Sequence, residues 1–150
     1  MLSTRLVRLI ESHWEEIAQR LIVSLQKHPD INELKKRPDI ELREWCQEIL
    51  ENLGEWLTLS RKAEVQQRYR GLGKTRFEEN IPLHEAVLRF QILKHKIIEF
   101  LHEQGFEPSA VQLYAEEEFE FRIGRFFDAC VYHVVCGYEH ALRRAARLAS

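Results

Sequence analysis

The stretch Tyr69 to Glu85, YRGLGKTRFEENIPLHE, decides how this chain is read. It lies between two halves with helical periodicity and carries the closely spaced glycines Gly71 and Gly73. The pattern predicts a helix ending near Arg70, with glycine supplying the left-handed cap conformation. An all-helical bundle would then fold back at this bend. Asn80-Ile81-Pro82 predicts the next helix start, with Asn80 capping free N–H groups and Pro82 in the first turn, where its missing donor costs little. Gly73-Lys74-Thr75 imitates the end of a phosphate-binding loop. Such a loop needs a glycine five positions earlier, because its backbone N–H groups must turn toward the phosphates. Position 68 is Arg68, and no strand pattern precedes it. A nucleotide site is therefore not expected.

Upstream, a first helix is predicted from about Thr4 to Lys27. Leu6, Leu9, Ile10, Trp14, Ile17, Leu21 and Leu25 form one buried stripe at i, i+3, i+4 spacing. His28-Pro29-Asp30 ends it, since a residue before proline is pushed out of helical geometry. Ile31 to Lys36 reads as a turn of helix. Pro38 opens a second helix, with Leu42, Trp45, Cys46, Ile49, Leu53, Trp56 and Leu57 facing inward. The third helix, about Arg61 to Arg70, is short and polar, anchored by Val65 and Tyr69, and Thr75 to Glu79 adds a further turn.

Downstream, a fourth helix runs from Pro82 to about Gln104, with Leu83, Ala86, Val87, Phe90, Leu93, Ile97, Phe100 and Leu101 inside. Gly105 terminates it and Pro108-Ser109 starts the next. From Ser109 to Leu148 nothing forces a stop, although Gly124 and Gly137 weaken the helix. Forty residues at about 1.5 Å each would span roughly 60 Å, more than a domain this size. One stripe holds Phe119, Ile123, Phe126, Cys130, Val134 and Gly137, and a neighbouring one holds Phe127, Val131, Val135, Tyr138 and Leu142. A helix this apolar needs partners on more than one side. It is either the centre of the bundle or part of a dimer seam. Gly137, Ala141 and Ala145 repeat at four-residue spacing and would let a second helix approach. The fold class is thus all-α, about five helices with a long C-terminal helix, in a bundle or globin-like arrangement.

A chain of 150 residues with 45% hydrophobic residues is one domain with a real core. A net charge of −2 offers no basic field for nucleic acid. No apolar run reaches the roughly 18 residues of a membrane span. Met1-Leu2-Ser3-Thr4-Arg5 leads into an amphipathic helix rather than a signal-peptide core, which predicts a cytoplasmic chain. Cys46, Cys130 and Cys136 are expected as reduced thiols within helices. The helical pattern still runs at Leu148-Ala149-Ser150, as in a domain joined to a longer protein.

Chemistry-bearing side chains gather in two places. His95, Glu99 and His102 lie at i, i+4 and i+7, with Gln91 a turn earlier, and are the candidate metal ligands. Their face opposes the apolar stripe, so a solvated surface is the plain expectation. A di-metal centre takes a Glu-x-x-His pair from each of two helices, and Glu99–His102 is the one pair of that kind here. Cys130, His133, Cys136 and His140 form the second cluster. Cys130 and Cys136 are about 600° apart around a helix, so one ion cannot easily take both from a straight helix, whereas His133, Cys136 and His140 could converge. Burial is the simpler reading. Glu116, Glu117, Glu118 and Glu120 sit near a helix start, where negative charge is favoured, and Glu118 can pair with Arg122. No nucleophile–base pair is visible, and neither catalysis nor a cofactor is expected.

A helix with a central Trp14, a Pro-initiated helix, the Gly-x-x-Arg turn of Gly73 and Arg76, and Ile81-Pro82-Leu83 opening a helix with Phe90 inside together resemble a known family. The chain from about Leu6 to Leu142 is similar to the N-terminal domain of RsbRD-type RsbT co-antagonists. Related domains precede STAS domains, histidine kinases and helix-turn-helix regulators in bacteria. The resemblance implies a non-catalytic sensory or regulatory module of a stress-response regulator, with the effector carried by whatever follows it. The apolar last helix and its small-residue repeat add the expectation of a homodimer that passes a signal along that helix to a downstream effector domain or kinase. A second resemblance, to globin-like sensor domains, would imply haem or metal on the histidines of the last two helices. The positions comparable to the proximal histidine segment hold Arg76 and Phe77.

Overall fold

The computed structural model describes residues 3–58, 61–105 and 109–150. Ser3 opens the first helix, α1 (Thr4–Ser12), by accepting a hydrogen bond from the Leu6 amide at 3.3 Å. Ser12 Oγ and His13 Nδ1 both lie against the Leu9 carbonyl, at 3.2 and 2.8 Å. These local bonds compete with the helical ladder, and His13 leaves helical geometry at φ −113°, ψ 23°. The predicted first helix is therefore two, and α2 (Trp14–Lys27) follows directly. Its end at His28, extended before Pro29, is the expected one.

A 3₁₀ turn (Leu34–Lys36) leads to α3 (Asp39–Leu50) and the short α4 (Leu53–Thr58). The single helix expected from Pro38 breaks at Glu51 and Asn52. There Asn52 Nδ2 donates to the Glu48 carbonyl at 3.1 Å, and the Gly54 amide donates to Glu11 Oε2 of α1 at 3.1 Å.

The bend expected at Gly71 and Gly73 is not there. α5 (Lys62–Glu78) runs unbroken through both glycines, and Lys74 and Thr75 sit in mid-helix. The chain reverses at Asn80, which takes the left-handed conformation, φ 60°. The Asn80 amide donates to the Phe77 carbonyl at 3.0 Å and the Ile81 amide to the Arg76 carbonyl at 2.9 Å, the pairing of a Schellman cap. Ile81, just beyond, is buried. Asn80 thus closes α5 instead of capping the next helix. Next comes α6 (Leu83–His102), preceded by Pro82, with no side-chain cap. Gly105, at φ 62°, lies beyond its end as expected. Ser109 then caps α7 (Ala110–Ala149) by accepting from the Gln112 amide at 3.0 Å. Pro108, expected in that start, lies outside the described residues. So do Met1 and Leu2.

The described residues thus form seven α-helices rather than about five, with α7 a continuous 40-residue rod. Its predicted inner stripe, Phe119, Ile123, Phe126, Cys130, Val134 and Gly137, is buried, together with Phe127. Aromatic rings cross the core in sequence, Trp45 to Phe90 (5.0 Å), Phe90 to Tyr69 (5.5 Å) and Tyr69 to Phe126 (6.5 Å), each edge-on. Edge-on pairs of this kind add about 0.5–1.5 kcal/mol each beyond their burial.

The most extensive helix pair is α5 with α7. It is built on reciprocal glycines. A Cβ at Gly73 would collide with the Val134 carbonyl and stand 2.8 Å from the Tyr138 amide nitrogen. A Cβ at Gly137 would collide with the Arg70 carbonyl and stand 2.8 Å from the Arg70 Cα. Both obstacles are backbone and cannot step aside. Tyr138 completes the seam, its hydroxyl donating to the Ile81 carbonyl at 2.7 Å and its ring edge-on to Phe77 at 5.5 Å. Gly137→Ala should therefore lower unfolding stability by about 3 kcal/mol, as forced overpacking does. Gly71→Ala, with no atom within 4 Å of the added methyl, should raise it by about 0.5–1 kcal/mol. Urea unfolding of the two variants measures both signs.

Candidate functional site

His95, Glu99 and His102 share a face of α6 as the spacing predicts, and all three are exposed. They are not joined as ligands. Glu99 accepts from Lys96 Nζ at 3.1 Å, and His102 Nε2 lies 2.5 Å from Glu120 Oε1 of α7. On α7, Cys130 is buried, His133 and Cys136 are half-buried and His140 is exposed. Burial raises the Cys130 thiol far above its ordinary range. His133 is turned toward α5, where its Nδ1 accepts from Arg70 Nε at 3.1 Å. Burial first, and then the Arg70 charge, hold its imidazole below the usual value. Among the described residues, no three His, Cys, Asp or Glu side chains are grouped to hold a metal. At the globin-like positions, Arg76 pairs with Glu79 and Phe77 packs on Tyr138. The expected pair Glu118–Arg122 does form, at 2.7 Å.

A cavity of about 510 Å³ opens between α4, α5 and α7. That volume suits a small organic ligand. Trp56, Phe126 and Phe121 supply its apolar surface, and Arg61, Arg122 and Arg125 its charge. Arg61 is held by Glu55 at 3.3 Å and stacks over Trp56 at 5.4 Å. Arg122 donates to the Leu57 carbonyl at 3.2 Å as well as to Glu118. Aromatic faces and guanidinium groups are recognition groups, and Lys62, Glu118 and His133 add to the charged and polar lining.

Beside the Schellman turn lies a second polar centre, which sequence reasoning largely missed. Three charged side chains are buried together in this part of the chain: Arg76, Glu85 and Arg89. Glu85 accepts the Glu33 amide at 2.9 Å and the Leu34 amide at 3.0 Å, capping the 3₁₀ turn from a distance of 51 residues in sequence. Arg76 donates to Glu79 at 2.9 Å, and Glu79 also pairs with Arg37. Arg89 Cζ lies over the Trp45 ring, 4.0 Å from its centre. Only Arg76 had drawn notice, as part of the Gly-x-x-Arg turn. The available signal was the i, i+4 pair Glu85 and Arg89, with Leu93 continuing that face of α6.

The family described as the RsbT co-antagonist protein rsbRD N-terminal domain matches residues 15–150. The chain belongs to this family. No curated protein and no solved structure matches it. Membership implies a regulatory domain of stress signalling, whose function is met through protein interactions. In this RsbRD-type domain the segment Gly73 to Leu83, quoted above for the resemblance, carries the α5–α7 contact, the Schellman cap and the start of α6. Among the described residues, no helix is long and apolar enough to cross a membrane. Glu85→Ala should destabilise the domain by about 2–3 kcal/mol, because two backbone donors lose a charged acceptor. Glu85→Gln, which keeps one acceptor oxygen, should recover part of that loss in the same thermal or urea unfolding measurement.

Proposed function

We propose that the domain is a non-catalytic sensory and interaction module of a bacterial stress-response regulator, and that α7 carries its signal. The observation behind this reading is the partition of α7. Its inner face is buried down to Gly137; beyond that, on the same face, Ala141 is half-buried, Ala145 is exposed and Leu148 is 81% exposed. The small-residue repeat is thus divided. Gly137 serves the contact with Arg70 inside the chain, and Ala141 and Ala145 are left for a second helix. Tyr114, Phe121 and Tyr132, each 60% exposed or more, add apolar surface to the same rod.

In this reading the chain is one domain that pairs with a second copy through the distal part of α7 and acts on a downstream effector domain or kinase in the cytoplasm. The cavity between α4, α5 and α7 is the natural place for a signal to enter, because Phe121, Arg125 and Phe126 on its wall belong to the rod itself. Native mass spectrometry tests the assembly. The wild-type chain is expected to fly as a dimer, and Ala141→Glu with Ala145→Glu as a folded monomer. A monomeric wild type, or an unchanged dimer in the double variant, would remove the seam from the proposal.

A further inference from the structure

The Arg89 guanidinium is almost wholly buried, 4% exposed, and makes no hydrogen bond among the described residues. A buried charge in that state is costly unless something compensates it. The Trp45 ring offers a cation–π contact but no acceptor. Three buried donors, Arg89 Nε, Arg76 Nε and Trp45 Nε1, have no acceptor among the described residues. What the region lacks is negative charge and lone pairs, not more N–H groups.

A small cavity of about 20 Å³ lies against both arginines, between the end of α2, the 3₁₀ turn, α3, α5 and α6. Four cationic side chains line it, Lys35, Arg37, Arg76 and Arg89, against the two carboxylates Asp39 and Glu41. Glu41 stands 3.9 Å from Arg37, and Glu79 is shared between Arg37 and Arg76. Among the described residues Arg89 forms no ion pair, and Glu41 acts on it only at longer range. Burial, reinforced by the neighbouring Arg76 charge, drives its guanidinium down to about 9. Guanidinium groups do not give up protons readily. A bound counter-charge relieves the same strain without deprotonation.

We propose that this cavity binds one compact inorganic anion of about the size of chloride, held by Arg76 and Arg89. A water molecule would fill the space, since about 10–15 Å³ suffices for one, but would leave the charge uncompensated. About 20 Å³ admits roughly one water-sized sphere, which suits a single-atom anion better than a carboxylate-bearing metabolite or a phosphate. The anion joins α6 and α5 to the junction before α3, so its binding adds to the stability of the folded chain.

The test is thermal unfolding of the full chain in a chloride titration, with ionic strength held constant by sodium gluconate. A saturable rise is expected, roughly 3–6 °C at ten times the dissociation constant for a domain of this size. Arg89→Met keeps the apolar stem and removes the charge; it should abolish the chloride-dependent rise. The ³⁵Cl resonance should broaden on adding the wild-type chain and sharpen again with excess bromide, a readout that needs no variant. Equal midpoints in chloride and gluconate with no broadening would overturn the proposal. So would a rise that survives in a folded Arg89→Met chain, or a saturable rise with phosphate alone.

Discussion

The backbone contact between α5 and α7 governs the rest of the architecture. α5 is a poor helix by its own composition: it holds two glycines and buries only Val65, Tyr69, Gly73 and Arg76. Each interior glycine costs roughly 1 kcal/mol against alanine. α7 overrides that weakness, because the absent side chains let the two backbones meet. Gly73 receives the Val134 carbonyl and Gly137 receives that of Arg70. The glycines that weaken the helix locally are what secure it globally.

Around this contact, one short stretch acts as a clasp. Gly73 touches α7, and Arg76 turns inward to Glu79. Asn80 reverses the chain, and Ile81 enters the core while its carbonyl accepts from Tyr138. Glu85 reaches back to the 3₁₀ turn. The N-terminal helices are thereby tied to the C-terminal rod by adjacent residues of a single segment. The Glu85 carboxylate is buried here because it bonds to backbone N–H groups from a distant part of the chain, which have to be satisfied wherever they are enclosed.

The sequence showed the long elements well and the junctions poorly. The stripe Phe119 to Gly137 was legible because 3.6-residue periodicity is a property of the chain alone. The end of α5 was not. A local rule reads glycine as a stop, whereas Gly73 exists for a partner 61 residues away, and the left-handed residue turned out to be Asn80. The breaks at His13 and Asn52 were hidden because apolar spacing continues through both, while the cause is side-chain bonding to nearby carbonyls. At the candidate site, the shared face of His95, Glu99 and His102 was read correctly. The Glu120 neighbour of His102 was not readable, because it becomes relevant only once α6 and α7 are packed. Arg89 escaped notice because α6 also carries Lys94 and Lys96, and a cation in such a helix usually marks its wet side.

The overhang of α7 has a mechanical corollary. Gly137 is the last buried residue of α7, and Ala149 lies about 18 Å further along the axis at 1.5 Å per residue. The glycine crossing is a fulcrum and the tail a lever. A tilt of about 5° there, small enough for side chains to absorb, sweeps the far end of an 18 Å arm through roughly 1.6 Å. Displacements of that order, about 1–2 Å, are what helix shifts at subunit interfaces use to switch partners.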